Sequence, residues 1–207
     1  MDEKCLREYR TYFRIPKEIL FRLPKDHAAW NPPQGCVAIH GFMLYCRVTL
    51  PIPKFIARYL SLVKCAPMQL TPNAYRNLMA LYYLWCDLNF DAPTINEIKH
   101  CLILRKSIHE IGSYYLASYH SSRWLTAGED GKRRKGKLDL PSKEEAQKKN
   151  GLIWGMLSSN KYWKGSWFFV EGEWGKSSLD GSDGEVLNIP HHFCEARKYI
   201  YTLSILF

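Results

Sequence analysis

Residues 71–86 constrain the fold most. Thr71 suits the N-cap of a helix, and Pro72 suits its first position, where a missing N–H costs nothing. Tyr75, Leu78, Met79, Tyr82, Trp85 and Cys86 then recur at three- and four-residue steps. Only one face of an α-helix gathers residues so spaced, and that face must be buried against something else. Ala92-Pro93 ends the run. Thr94-x-x-Glu97 is a capping-box pattern that predicts a further helix carrying Ile95, Ile98, Leu102 and Ile103.

Helical spacing also precedes this segment. Leu6, Tyr9 and Phe13 share one face, and Pro16 suits the start of a short helix with Ile19, Leu20 and Leu23 that Pro24 stops. Residues 25–35 are polar, with Pro32, Pro33 and Gly35, and read as a linker. Val37, Ile39, Phe42, Met43 and Leu44 predict a mostly buried helix between Cys36 and Cys46. After Pro51-Ile52-Pro53, the stripe Phe55, Ile56, Tyr59, Leu60 and Val63 predicts an amphipathic helix, with Lys54, Arg58 and Ser61 opposite.

Beyond residue 111 the texture changes. Ser113 to Tyr119, Leu152 to Leu157 and Ser166 to Val170 read as short strands. Trp167 and Phe169 would share one face of the last strand and Phe168 and Val170 the other, so that strand is expected to be buried on both sides. The expectation is an α+β fold, mainly helical: an N-terminal helical bundle with a small antiparallel sheet in the C-terminal half. Residues 1–31 form a helical extension and linker, 32–174 the main domain, and 175–207 a flexible linker and tail that stops abruptly, as a truncated copy would.

The net charge of +9 is local. Residues 131–150 hold eight Lys/Arg against three Asp/Glu, so the other 187 residues share only +4. Residues 127–150 carry this charge without apolar periodicity and read as an exposed insertion. Its sharpest part is Lys132, Arg133, Arg134, Lys135 and Lys137, a nuclear-import or phosphate-contacting run whose alternative is a solvated loop. The seven cysteines are odd in number and include no CxxC pair, and the N-terminus is charged, so a reduced, intracellular chain of the nucleus or cytoplasm is expected, not a secreted or membrane one.

Motifs for catalysis are sparse. Neither GxSxG, GxxxxGK[ST] nor GxGxxG occurs. Cys36 with His40, and His191-His192-x-Cys194, offer donors without the paired spacing zinc sites use, and buried thiols explain Cys86 and Cys101 better. Asp87, Asp91, Glu171 and Glu173 lack a third partner for a two-metal centre. No enzyme, cofactor, metal or small-molecule substrate is therefore expected. Lys161 and Lys164 beside Trp163 could hold a ligand by cation–π contact, but a structural role fits better. A groove near Tyr82 and Trp85 is the feature a protein-interaction module would use.

Four motifs occur in order: Pro32-Pro33-x-Gly35; Leu50-Pro51-Ile52-Pro53 with Arg58-Tyr59-Leu60; Gln69-Leu70-Thr71-Pro72-Asn73-Ala74-Tyr75-Arg76; and Ser159-Asn160-Lys161-x-Trp163-Lys164 with Trp167-Phe168-Phe169-Val170. In these the chain resembles the gypsy-type transposon domain of plants, over roughly residues 32–174. The resemblance implies a gag-like, mobile-element-derived domain, often labelled a transposase, that works by self-association or by contact with RNA or DNA. A decayed transposase is the other implication. Pro51, Thr71, Pro72, Asn160, Trp163, Lys164, Trp167, Phe168 and Phe169 carry the likeness as structural residues, and no catalytic residues come with it.

Overall fold

The computed structural model describes residues 2–118, 163–175 and 187–196. Asp2 caps the first helix, α1 (Glu3–Tyr12), by accepting the Cys5 N–H. Its apolar face places Leu6 in the core, with Tyr9 and Phe13 packed beside it. The Arg10 guanidinium then donates to the Pro16 and Ile19 carbonyls, holding a tight turn. Residues 20–22 consequently run as strand β1 (Leu20–Arg22), not as the expected helix. Strand pairing decides this: β1 lies antiparallel to β5 (Trp167–Glu171), with Phe21 opposite Val170.

The predicted helix between Cys36 and Cys46 divides in two. Cys36–His40 is strand β2, buried at every position, and Gly41–Tyr45 is the short helix α2. An unbroken apolar run serves a doubly covered strand as well as a buried helix, so its period could not separate the two. β2 pairs with the other edge of β5, with Val37 opposite Val170, giving the sheet order β1-β5-β2. As expected, β5 is apolar on both faces because it is the central strand. Phe168 and Val170 join the main core, while Phe169 packs with Trp163, Cys36, Ala38 and Met68. Gly172, just past β5, has φ +93°, and a Cβ there would lie 2.4 Å from the Glu18 carbonyl oxygen, so only glycine lets the strands close so tightly.

The predicted amphipathic stripe is buried in α3 (Lys54–Val63). A 3-10 turn, Pro67–Gln69, leads to α4 (Pro72–Asp87), which Thr71 caps as its sequence predicts. Tyr75, Leu78 and Met79 are buried; Tyr82 stacks on Phe55 at 5.1 Å. Cys86, expected inside, is exposed, and Cys101 is half-buried. The capping box of Thr94 and Glu97 forms at the start of α5 (Ile95–Cys101). Leu102 and Ile103 do not extend that helix. They begin β3 (Leu102–Lys106), which pairs antiparallel with β4 (Tyr114–Ser118).

The architecture is mixed α+β, with two separate antiparallel sheets among the described residues. Strands and helices interleave, so the three-stranded sheet is not confined to the C-terminal half. It joins β1 and β2, from before α3, to β5 near the end of the described chain. Residues 1–31 thus supply both a core helix and a sheet strand. The strand expected at Leu152 to Leu157 and the whole of the basic insertion, residues 127–150, lie outside the described residues. No described helix is long and apolar enough to cross a membrane.

Candidate functional site

The turn before α4 organises a buried polar network. Gln69 is 1% exposed and uses its whole amide. Its Oε1 accepts the N–H groups of Ala66 (3.0 Å) and Cys194 (3.2 Å), and its Nε2 donates to the carbonyls of Gly112 (3.1 Å) and Cys194 (2.9 Å). One side chain thereby ties three remote segments together. His40, fully buried, lies beside it in the fold. Its Nδ1 accepts the Met43 N–H, capping α2, and its Nε2 faces the Leu70 carbonyl at 3.0 Å. A carbonyl can only accept, so the ring is the neutral Nε2–H tautomer. Burial lowers its pKa from 6.5 to about 4, against a smaller upward pull from the Leu70 carbonyl.

Of the residues of the family likeness, Pro72, Trp163, Phe168 and Phe169 are buried, Pro51, Thr71 and Trp167 are half-buried, and Lys164 is exposed. Thr71 and Pro72 start α4, and the Leu50–Pro51 peptide is cis. Trp163 is buried edge-on to His40 at 4.7 Å and donates its indole N–H to Glu110 at 3.2 Å. Lys164 lies 5.5 Å from the Trp163 ring centroid and 3.7 Å from Glu110. These partners give Trp163 and Lys164 a structural role: the cation–π contact is made within the chain. Trp167 packs on Phe169 at 5.2 Å. Asn160, Lys161 and the run Lys132, Arg133, Arg134, Lys135 and Lys137 lie outside the described residues. Among the described residues, no three His, Cys, Asp or Glu side chains are grouped to hold a metal ion. Cys36 and His40 do share a period, but along a strand, and His40 already uses both nitrogens.

An open cleft of about 540 Å³ lies where α1 and α2 end, lined by Tyr12, Phe13, Arg14, Tyr45, Arg47, Val48, Thr49 and Tyr83. Both helices finish in the same way. Arg14 N–H bonds to Thr11 and Ile15 N–H to Arg10; Arg47 N–H bonds to Leu44 and Val48 N–H to Met43. Each is a Schellman motif, which calls for a left-handed residue just past the helix. Glycine is the usual occupant. Here it is Arg14 (φ 52°) and Arg47 (φ 69°). Helix α4 ends with the same bonds but uses Asn89 (φ 60°), a residue that tolerates this conformation better. With the arginines, Tyr12 (75% exposed), Tyr45 (56%) and Tyr83 (48%) line the cleft. Phe13, also in the cleft wall, stands edge-on to both Tyr12 (4.9 Å) and Tyr45 (5.1 Å) and so fixes the two rings relative to each other.

Sequence reasoning missed this cleft, although it carries a signal. Tyr12-Phe13-Arg14 and Tyr45-Cys46-Arg47 are the same Tyr-x-Arg tripeptide at two helix ends. The spacing is too short for a repeat, and only the fold brings the copies together. The groove expected near Tyr82 and Trp85 is partly filled, since both residues pack against the core, and it is the next residue, Tyr83, that faces open space. Comparison with protein-family models, curated proteins and solved structures yields no match to this chain.

Proposed function

We propose that this chain is a non-enzymatic, gag-like domain of mobile-element origin that works by contacting nucleic acid. The concentration of +5 charge within residues 131–150 carries the reading. A charge excess so local provides a phosphate-binding arm without needing base recognition. The ordered resemblance to the plant gypsy-type transposon domain supports it, and so does the chemistry of the interior. His40, Gln69 and Trp163 have their polar atoms committed to holding the fold, which leaves them poor candidates for acid–base work. Self-association is the companion activity, for which exposed Leu88 and Phe90 past α4 offer apolar surface.

Binding of labelled single-stranded RNA and duplex DNA across a salt series tests the reading. Steep salt dependence is expected, and deleting residues 129–150 should flatten the slope by about 4, since each phosphate neutralised by Lys132, Arg133, Arg134, Lys135 or Lys137 contributes roughly 0.7–0.9. Absence of binding at low salt defeats the nucleic-acid reading and leaves self-association, measured by sedimentation velocity, as the activity to account for.

A further inference from the structure

From the geometry we infer that the cleft between the ends of α1 and α2 binds unpaired nucleotides. In this site Tyr12, Tyr45 and Tyr83 stack on bases while Arg14 and Arg47 hold the flanking phosphates. The inference rests on the nucleic-acid reading and names the form of nucleic acid that the chain selects.

Charge complementarity comes first. Two guanidinium groups line the cleft and no carboxylate does, and among the described residues neither arginine is ion-paired with an acidic side chain. The Schellman bonds take up two of the last four carbonyls at each helix end, and the arginine just past each end counters the repulsion that the remaining carbonyls exert on an anion. Ring exposure comes second. Tyr12 and Tyr45 are more than half exposed even though Tyr45 packs against the rings of Tyr9, Phe13 and Phe42, so a large part of each phenol remains open to a ligand. Exposed aromatic faces beside cations suit bases of any sequence, because every base has a π-face. A duplex hides those faces by stacking them on each other. The cleft therefore favours single strands, whereas a basic run that contacts phosphates alone would serve duplex and single strand alike. The third observation is backbone cost. Arginine stands twice where glycine would be easier, and both instances open on the same cleft, whereas the left-handed Lys25 and Lys64 stand elsewhere and line no part of it.

Fluorescence anisotropy of the full chain with a labelled oligouridylate, an oligothymidylate of equal length and a duplex tests this. Three proteins are compared: wild type, Arg14→Gly/Arg47→Gly with Tyr12→Leu, and a basic-run variant with Lys132, Arg133, Arg134 and Lys135 each changed to Gln. The cleft variant should bind both single strands about tenfold more weakly or worse, given the usual value of a stacked base. Its duplex binding should hold, and its melting temperature should not fall. The basic-run variant should lose affinity for all three ligands. Preference for the oligouridylate would show that the cleft reads the 2′-hydroxyl, and equal binding would show that it reads base and phosphate alone; both uphold the inference. Unchanged single-strand binding by the cleft variant overturns it, and if the basic-run variant still loses binding, the arm reading survives alone. Loss in the cleft variant with none in the basic-run variant upholds the cleft and removes the arm. Failure of wild type to bind any of the three overturns both.

Discussion

The network around Gln69 and the cleft beside Arg14 and Arg47 use polar groups in opposite ways. In the first, every polar atom of a buried amide is matched by a backbone partner, and His40 likewise has both ring nitrogens occupied. In the second, three phenol rings and two cations line an open cleft, and at the two cation positions the backbone itself would prefer glycine. Buried polar groups are tolerated only when satisfied, so the first arrangement is what stability alone produces. Stability alone does not account for the second. Left-handed Lys64 follows α3 much as the arginines follow α1 and α2, so what sets the cleft apart is the meeting of two such cations with three exposed rings.

The sharpest break of the interior is Gln69→Leu. It would strip partners from the N–H groups of Ala66 and Cys194 and leave the carbonyls of Gly112 and Cys194 short of a donor. At 1–3 kcal/mol for an orphaned buried group, partly relieved by water, about 4 kcal/mol of stability should be lost. Urea denaturation would show it as a lowered midpoint, and a midpoint equal to wild type would mean that the three segments are held by packing alone.

Acid should weaken the same region next. The folded-state pKa of His40, about 4, lies below its ordinary 6.5. Between those values the unfolded chain takes up a proton that the folded chain refuses. Stability contributed by neutral His40 is therefore present in full above pH 6.5, falls as the pH drops toward 4, and levels off below. At 1.36 kcal/mol per unit the loss totals about 3 kcal/mol. His191, also lowered, first by burial, adds a smaller change of the same sign. Unfolding measured at several pH values should show this decline, and His40→Gln should flatten it while lowering stability throughout.

How much of this was legible in the sequence follows from which interactions are local. The caps at Thr71 and Thr94, the stripe on α3 and the doubly buried strand at Phe168-Phe169-Val170 are set by residues within a few positions of one another, and the structure has them where the pattern put them. The elements read as helix but folded as strand, at Leu20, Cys36 and Leu102, owe their conformation to partners far along the chain: β5 for the first two and β4 for the third. Short apolar runs hold no record of such partners. The same limit hid the site. Cleft residues belong to three elements, and Gln69 reads as one more polar residue until Gly112 and Cys194 are brought to it.

The smallest effect discriminates best. Replacing Arg14 or Arg47 with glycine removes a side chain that the left-handed conformation disfavours, at a position where both helix-end bonds come from the backbone. The relief should outweigh the greater freedom of glycine in the unfolded chain, giving a gain of about 0.5–1 kcal/mol at each site. The double variant should then melt a few degrees higher, by the usual relation between stability and melting temperature for a chain of this size. Asn89→Gly at the end of α4 is the internal control: asparagine already accommodates the conformation, so its gain should be smaller. A double variant that melts lower than wild type would show the arginines to be part of the packing, and the contrast between cleft and interior would lose its basis. One that melts higher while releasing single strands would show that the sequence keeps two strained arginines for what they bind.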